Sequence, residues 1–229
     1  MNIQKFLKFR GTMTLKSDLH IVIGTDGDKI GGCDNPIIRN KLTGEPFIPG
    51  SSLKGAMRCI EEKKAKYRPD GTDNAGNPID KGNPCRCGKP GCISCTMFGA
   101  HMNTNPSCGE PRLIIRDLKI STDYKKKLAE SGYSIADIMD SRASTMINRR
   151  TSTASEHSLR NMEVVVAGTG FDVGIILKVT NKDKEADLVN NLKMLIKQVE
   201  TVGIGSKVTS GCGDVEFNIN FDKPEIINM

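Results

Sequence analysis

The chain has no tryptophan, and its three tyrosines and seven phenylalanines bring the aromatic content to only 4%. That scarcity argues against stacking bases on aromatic platforms as the main way of holding a nucleic acid. Phosphate contacts and aliphatic wedges are the modes left open. No segment approaches the roughly 20 apolar residues that a membrane-spanning helix needs. The opening MNIQKFLKFRGTMTLKSD lacks the continuous apolar core of a secretory signal. A cytoplasmic protein with no membrane partner is therefore expected. A spread disulfide framework is also missing. Four of the eight cysteines crowd into Cys85–Cys95, while Cys33, Cys59, Cys108 and Cys212 are scattered, a distribution that reads as metal binding rather than cross-linking.

The 229 residues are 37% hydrophobic, enough for a real core in one domain spanning residues 1–229. The formal net charge of +6 suits a polyanionic partner without proving one. Phe9–Ile23 alternates apolar and polar residues, as a strand or hairpin does. After a loop rich in Gly and Asp, Pro49-Gly50-Ser51-Ser52 leads into a helix in which Ser51 or Ser52 is a candidate cap. Leu53, Ala56, Met57 and Ile60 then fall on one stripe. Residues 68–95 are polar and rich in Gly and Cys, the composition of an insertion. Further strands are expected at Leu113–Ile115, Phe171–Val179 and Val215–Phe221. Helices are expected at Tyr124–Ser131 and along Leu188, Leu192, Leu195 and Val199. The order β, α, β, then β, α, β predicts an α+β, ferredoxin-like domain.

Four groups of residues could carry chemistry. Cys85, Cys87, Cys92 and Cys95 form C-x-C-x4-C-x2-C, which suits a closed, structural, tetrahedral zinc site. His101 or Cys108 could replace one ligand; an iron–sulfur cluster and four unliganded thiols are the other readings. Lys54 and Arg58 lie four apart in the first turns of a helix. There they form either a phosphate site or a solvated face. The glycine-rich run from Gly203 through Gly205, Ser206 and Lys207 to Gly213 could offer backbone N–H groups to phosphate, or be only a tight turn. Asp34, Asp26 and Asp28 share one loop, and on chemistry alone Asp34 reads as a solvated acid. His20, at a strand end, reads as structural.

Taken together, these segments resemble the RAMP superfamily of CRISPR proteins, and within it the repeated backbone subunit of type III-A (Csm) effector complexes. The resemblance rests on Leu19-His20-Ile21, on Asp34-Asn35-Pro36-Ile37-Ile38-Arg39, and above all on the run Leu42-Thr43-Gly44-Glu45-Pro46-Phe47-Ile48-Pro49-Gly50-Ser51-Ser52-Leu53-Lys54-Gly55. Cys92-Ile93-Ser94-Cys95 before Phe98-Gly99, Leu113–Asp117, Ile147-Asn148-Arg149, Phe171-Asp172 and the glycine loop extend it over most of the chain.

The resemblance implies an RRM-like palm, a zinc-binding insertion at about 68–100 and a β-hairpin thumb at about 135–170. It further implies copies of the chain stacked in a filament along a CRISPR RNA beside other type III effector subunits. Thumbs would flip bases in the guide–target duplex, and target RNA would be cut at regular intervals. By its place two residues before Pro36, Asp34 matches the aspartate this cutting requires, with a divalent metal such as magnesium. His20, Lys54, Arg58, Arg149, Gly203, Gly205, Ser206 and Lys207 are the RNA-binding residues it implies. Asn148 stands where relatives often carry an acid.

Overall fold

Alternation along the first strand organises the sheet. In β1 (Ile3–Leu15) Leu7, Phe9, Met13 and Leu15 are buried on one face, while Arg10 on the other is exposed. The computed structural model describes residues 2–22, 35–66 (the backbone alone for 64–66) and 84–229. Within these, β1 pairs antiparallel with β7 (Gly170–Thr180) along nearly its whole length. Its other edge is shared by β8 (Val215–Ile219), opposite Gly11–Leu15, and β9 (Glu225–Asn228), opposite Lys5–Lys8. On the far side of β7 lie β3 (Leu113–Ile115) and β4 (Leu118–Ile120), and β2 (Phe47–Ile48) closes that edge.

Two helices cover the buried face. α1 (Gly50–Lys66) contributes Leu53 and Met57, both fully buried, and α4 (Glu185–Val202) contributes Leu188, Leu192, Leu195, Ile196 and Val199. They pack on each other, and a fully buried side chain of this kind stabilises by roughly 1.5–3 kcal/mol. The sequence β1–α1–β3/β4–β7–α4–β8, with β1 and β7 adjacent at the centre, is the ferredoxin-like α+β arrangement expected from the sequence. Two short helices complete the layer. α2 (Ile93–Phe98) buries Met97 and Phe98 in the main core, and α3 (Thr122–Glu130) is charged and largely exposed.

Some elements differ from expectation. β1 begins at Ile3 rather than near Phe9, because Phe6 and Leu7 continue the pairing with β7. β9 was not anticipated: a four-residue edge strand after Pro224 has too little periodicity to be visible. Ser51 and Ser52 lie inside α1 rather than capping it. The Asp117 carboxylate takes the capping place, accepting the Gly50 N–H at 2.8 Å across the sheet edge. Gly50 has to be glycine, because a Cβ there would lie 2.4 Å from the Ile115 carbonyl oxygen.

A separate two-stranded sheet, β5 (Met139–Ser144) with β6 (Arg160–Val165), rises from the main body. Only its base is buried, at Ile138, Val164 and Val165. Residues 145–159 between the strands are mostly exposed, Met146, Ile147 and Leu159 among them.

Candidate metal centre and nucleic-acid interface

The four clustered cysteines converge. Their sulfurs all lie within 4.8 Å of one another, with Cys85–Cys92 at 3.9 Å, Cys87–Cys95 at 3.7 Å and Cys85–Cys95 at 3.6 Å. The edge of a tetrahedron with zinc–sulfur bonds of about 2.3 Å is about 3.8 Å, so the donor set fits a four-coordinate metal such as zinc. The Gly88 N–H donates to Cys95 Sγ at 3.4 Å. Without a cation so many thiols resist ionising together. Hydrogen bonding with Cys92 pushes the Cys85 thiol up to about 12 and its bond with Cys85 pushes Cys95 up, whereas Cys92 is held down. Among the described residues no other such cluster of His, Cys, Asp or Glu occurs, and neither His101 nor Cys108 joins this one. Cys108 is instead buried beside it, and its thiol points to the Gly109 carbonyl at 3.7 Å.

This knuckle is tied to α1 and α4. The Glu62 carboxylate, 7% exposed, accepts the Cys85 N–H at 2.9 Å and the Arg58 Nε–H at 2.8 Å, and Arg58 Nη2 donates to the Cys85 carbonyl at 3.2 Å. On the α4 side, buried Arg112 pairs with Asp183 at 2.7 Å and donates to the Cys108 carbonyl at 3.0 Å. Burial alone would push the Asp183 carboxyl up. Hydrogen bonds from Arg112 and Thr180 outweigh it and hold the group below its usual range. Lys54, one turn before Arg58, donates from Nζ to the Leu113 carbonyl at 3.0 Å. Burial first, then the nearby charges of Arg58 and Lys178, pulls its ammonium below the usual lysine pKa.

A second cluster forms where the two-stranded sheet meets the main body. His20 is 3% exposed and its Nδ1 lies 2.6 Å from the Glu163 carbonyl. A carbonyl only accepts, so Nδ1 carries the proton. The His20 carbonyl accepts the Ser206 N–H at 3.0 Å. Gly205, at φ +87°, presses so close that a Cβ would lie 2.7 Å from that same oxygen. In the glycine run, Ile204 N–H bonds the Gly213 carbonyl and Gly213 N–H bonds the Asp18 carbonyl, both at 2.9 Å. These donors fasten the run to residues 18–20 and to itself. Lys207 stands exposed on it in a left-handed conformation, at φ +61°.

Two ion pairs bolt the outlying sheet to the same place. Arg142 of β5 pairs with Asp18 at 2.5 Å, and Glu163 of β6 pairs with Arg39 at 2.5 Å. At the far tip, Asn148 Oδ1 accepts the N–H groups of Arg150 at 3.0 Å and Thr151 at 3.4 Å. This Asx turn leaves Arg149 and Arg150 exposed. A carboxylate could accept the same two bonds, so Asn148 keeps the turn that an acid would make.

Residues 12–216 match the model of the RAMP superfamily. The chain belongs to this superfamily. It is 31% identical over 228 residues to the CRISPR system Cms endoribonuclease Csm3 of Methanothermobacter thermautotrophicus, covering 95% of this chain and 85% of that one. The protein of the same name from Methanocaldococcus jannaschii is 34% identical over 209 residues, covering 90% and 76%. Among solved structures, the crystal structure of a Csm3–Csm4 subcomplex in the type III-A CRISPR-Cas interference complex aligns with 100% of this chain and 90% of its own. Its TM-score is 0.53 and its identity 21%, a likeness of fold. A type III-B Cmr-beta complex bound to cognate target RNA gives a TM-score of 0.60 at 15% identity, over 98% of this chain and 61% of that one.

Within this RAMP fold the structure gathers His20, Gly203, Gly205, Ser206 and Lys207 at one junction. It places Lys54 and Arg58 at the edge of α1 beside the knuckle, and Arg149 at the tip of the outlying hairpin. Asp34, Asp26 and Asp28 lie outside the described residues. Asn35, next to Asp34, is described and is bridged to Met162 of β6. Asp18, Arg39, Arg142 and Glu163 escaped the sequence reading. Asp18, Arg39 and Glu163 each stand at the border of an apolar run, as Glu163 does before Val164-Val165-Val166, and Arg142 carries no local signal.

Proposed function

We propose that this chain is an RNA-binding backbone subunit of a type III CRISPR effector complex, and that it cuts guide-complementary target RNA at regular intervals with Asp34. In this reading residues 1–229 form one RAMP domain, the cysteine knuckle of the 68–100 insertion holds structural zinc, and the β5–β6 hairpin is the thumb. Partners are CRISPR RNA, target RNA, further copies of the chain in a filament and other effector subunits. The observation that carries it is the identity of 31% over 95% of the chain to a protein named a CRISPR endoribonuclease. The junction supports it: Asn35, the residue next to Asp34, is bound to Met162 and Glu163 at the thumb base, where His20 also holds the loop that carries Lys207.

The chemistry follows from the site. A nucleotide flipped out of an A-form stack can reach in-line geometry, so that its 2′-oxygen attacks the adjacent phosphorus while the 5′-oxygen leaves. The 2′-hydroxyl gives up its proton and the departing oxygen gains one. The products are a 2′,3′-cyclic phosphate and a 5′-hydroxyl. Asp34 would accept that proton or hold a divalent ion such as magnesium, whose role would be to stabilise charge on the phosphate. Lys54, Lys207 and Arg149 supply cations for phosphates, and His20 holds the glycine loop in place.

A labelled RNA complementary to the guide tests this in the assembled complex. Asp34→Ala is expected to abolish cutting while target binding stays normal, and EDTA should mimic it until magnesium is restored. Normal cutting by Asp34→Ala would move the chemistry to Asp26, Asp28 or another subunit.

A further inference from the structure

We infer that Glu163 is a positioning residue for target cutting: it clamps both stems of the 23–34 segment to the base of the outlying hairpin. The inference rests on the reading of Asp34 given above. One residue of β6 makes four separate bonds across that segment. On the entering stem, its carbonyl accepts the His20 Nδ1–H at 2.6 Å. On the leaving stem, its N–H donates to the Asn35 carbonyl at 3.0 Å, Oε2 accepts the Ile37 N–H at 3.1 Å, and Oε1 accepts from Arg39 Nη2 at 2.5 Å.

The surroundings make this more than a surface ion pair. Glu163 and Arg39 are 23% and 36% exposed, so their attraction is only partly screened by water. Val164 and Val165, next along β6, are buried, which fixes the register of the strand. The other hairpin strand, β5, repeats the device with opposite charge, as Arg142 pairs with Asp18 and Asp18 Oδ1 accepts the Ala167 N–H at 2.9 Å. Displacing the hairpin must therefore displace residues 35–39, and with them the backbone to which Asp34 is attached. A duplex that engages the exposed hairpin tip would be felt at the cutting residue through Glu163.

The test uses the assembled complex and pre-bound target RNA, so that the cutting rate is read separately from binding. A misplacement of about 1 Å can cost about 100-fold in rate. Glu163→Ala is expected to slow single-turnover cutting by about 10- to 100-fold, with target affinity within about twofold. Arg39→Ala should be slowed too, and Arg39→Lys, which keeps the ion pair, should recover most of the rate. If Glu163→Ala fails to assemble, Glu163→Gln decides. It keeps one acceptor and loses the charge, and a smaller but clear slowing is expected. A wild-type rate in the variant that decides overturns the inference, and so does an equal loss of rate, binding and thermal stability, which marks a merely structural role. Asp34→Ala, run alongside, keeps the two ideas apart. If it is dead while Glu163→Ala cuts normally, only the clamp is wrong. If it cuts normally, the reading of Asp34 is wrong, and the rate of Glu163→Ala still decides whether Glu163 tunes the cutting.

Discussion

The cysteine knuckle and the glycine junction each hold irregular chain against the same sheet, by opposite means. The knuckle gathers four thiols within 4.8 Å, a donor set that fits a four-coordinate metal. The junction uses glycines that let backbones touch, together with the ion pairs Arg142–Asp18 and Arg39–Glu163. A knuckle of this kind is all or nothing, because each ligand depends on the other three. A junction built from many small terms can shift by degrees. That suits the knuckle to a fixed support and, in the proposed reading, the junction to a place that responds to a bound duplex.

The largest effect should come from breaking the knuckle. Cys95 is fully buried and its sulfur touches those of Cys85 and Cys87. Cys95→Ser should release the metal and cost about 4 kcal/mol or more, since loss of a metal belongs to the extreme class of single-residue effects. Because Met97 and Phe98 of α2 lie in the main core, the damage should spread into the α1–α2 contact. Elemental analysis alongside thermal melting checks it, and a full zinc complement in the variant would refute it. Breaking the junction should cost less. Gly205→Ala puts a Cβ 2.7 Å from the His20 carbonyl at a φ of +87°, and about 2 kcal/mol is expected from strain and the displaced Ser206–His20 bond. Denaturant melts should show it as a shifted midpoint at constant slope.

The contrast also explains what could be read from the sequence. The knuckle was legible because its four ligands lie within eleven residues and sulfur chemistry restricts their use. The central strands and α4 were legible because burial imprints a period of 2 or 3.6, as Leu188, Leu192, Leu195 and Val199 show. The junction was not legible. Glu163 meets His20 across 143 residues and Arg39 across 124, and nothing local marks such a pair. The cap of α1 failed in the same way: Ser51 and Ser52 were the local candidates, whereas Asp117 reaches Gly50 from 67 residues away.

The smallest expected effect separates Lys54 from Arg58, which the sequence could only treat as a pair. Arg58 is bound to buried Glu62 and to the Cys85 carbonyl, so it belongs to the knuckle. Arg58→Met should lower stability by about 1 kcal/mol by leaving the Glu62 charge without its partner, and should barely change the salt dependence of RNA binding. Among the described residues Lys54 has only the Leu113 carbonyl as a hydrogen-bond acceptor, and it stands among cations. A charge pulled below its usual pKa by burial and by Arg58 and Lys178 gains from an arriving phosphate. Lys54→Met should therefore weaken guide RNA for every sequence alike and flatten the log–log salt slope by about 0.7, one phosphate contact on a single strand. The sign with pH follows. In the free protein folding disfavours the charged Lys54, so its contribution to stability rises as pH climbs from the lowered folded value towards 10.5. Bound phosphate restores the charged form, so RNA binding in that alkaline window should take up protons, and Lys54→Met should abolish the uptake. Calorimetry in two buffers of different ionisation enthalpy measures it, and equal proton uptake by both proteins would return Lys54 to the solvated face of α1.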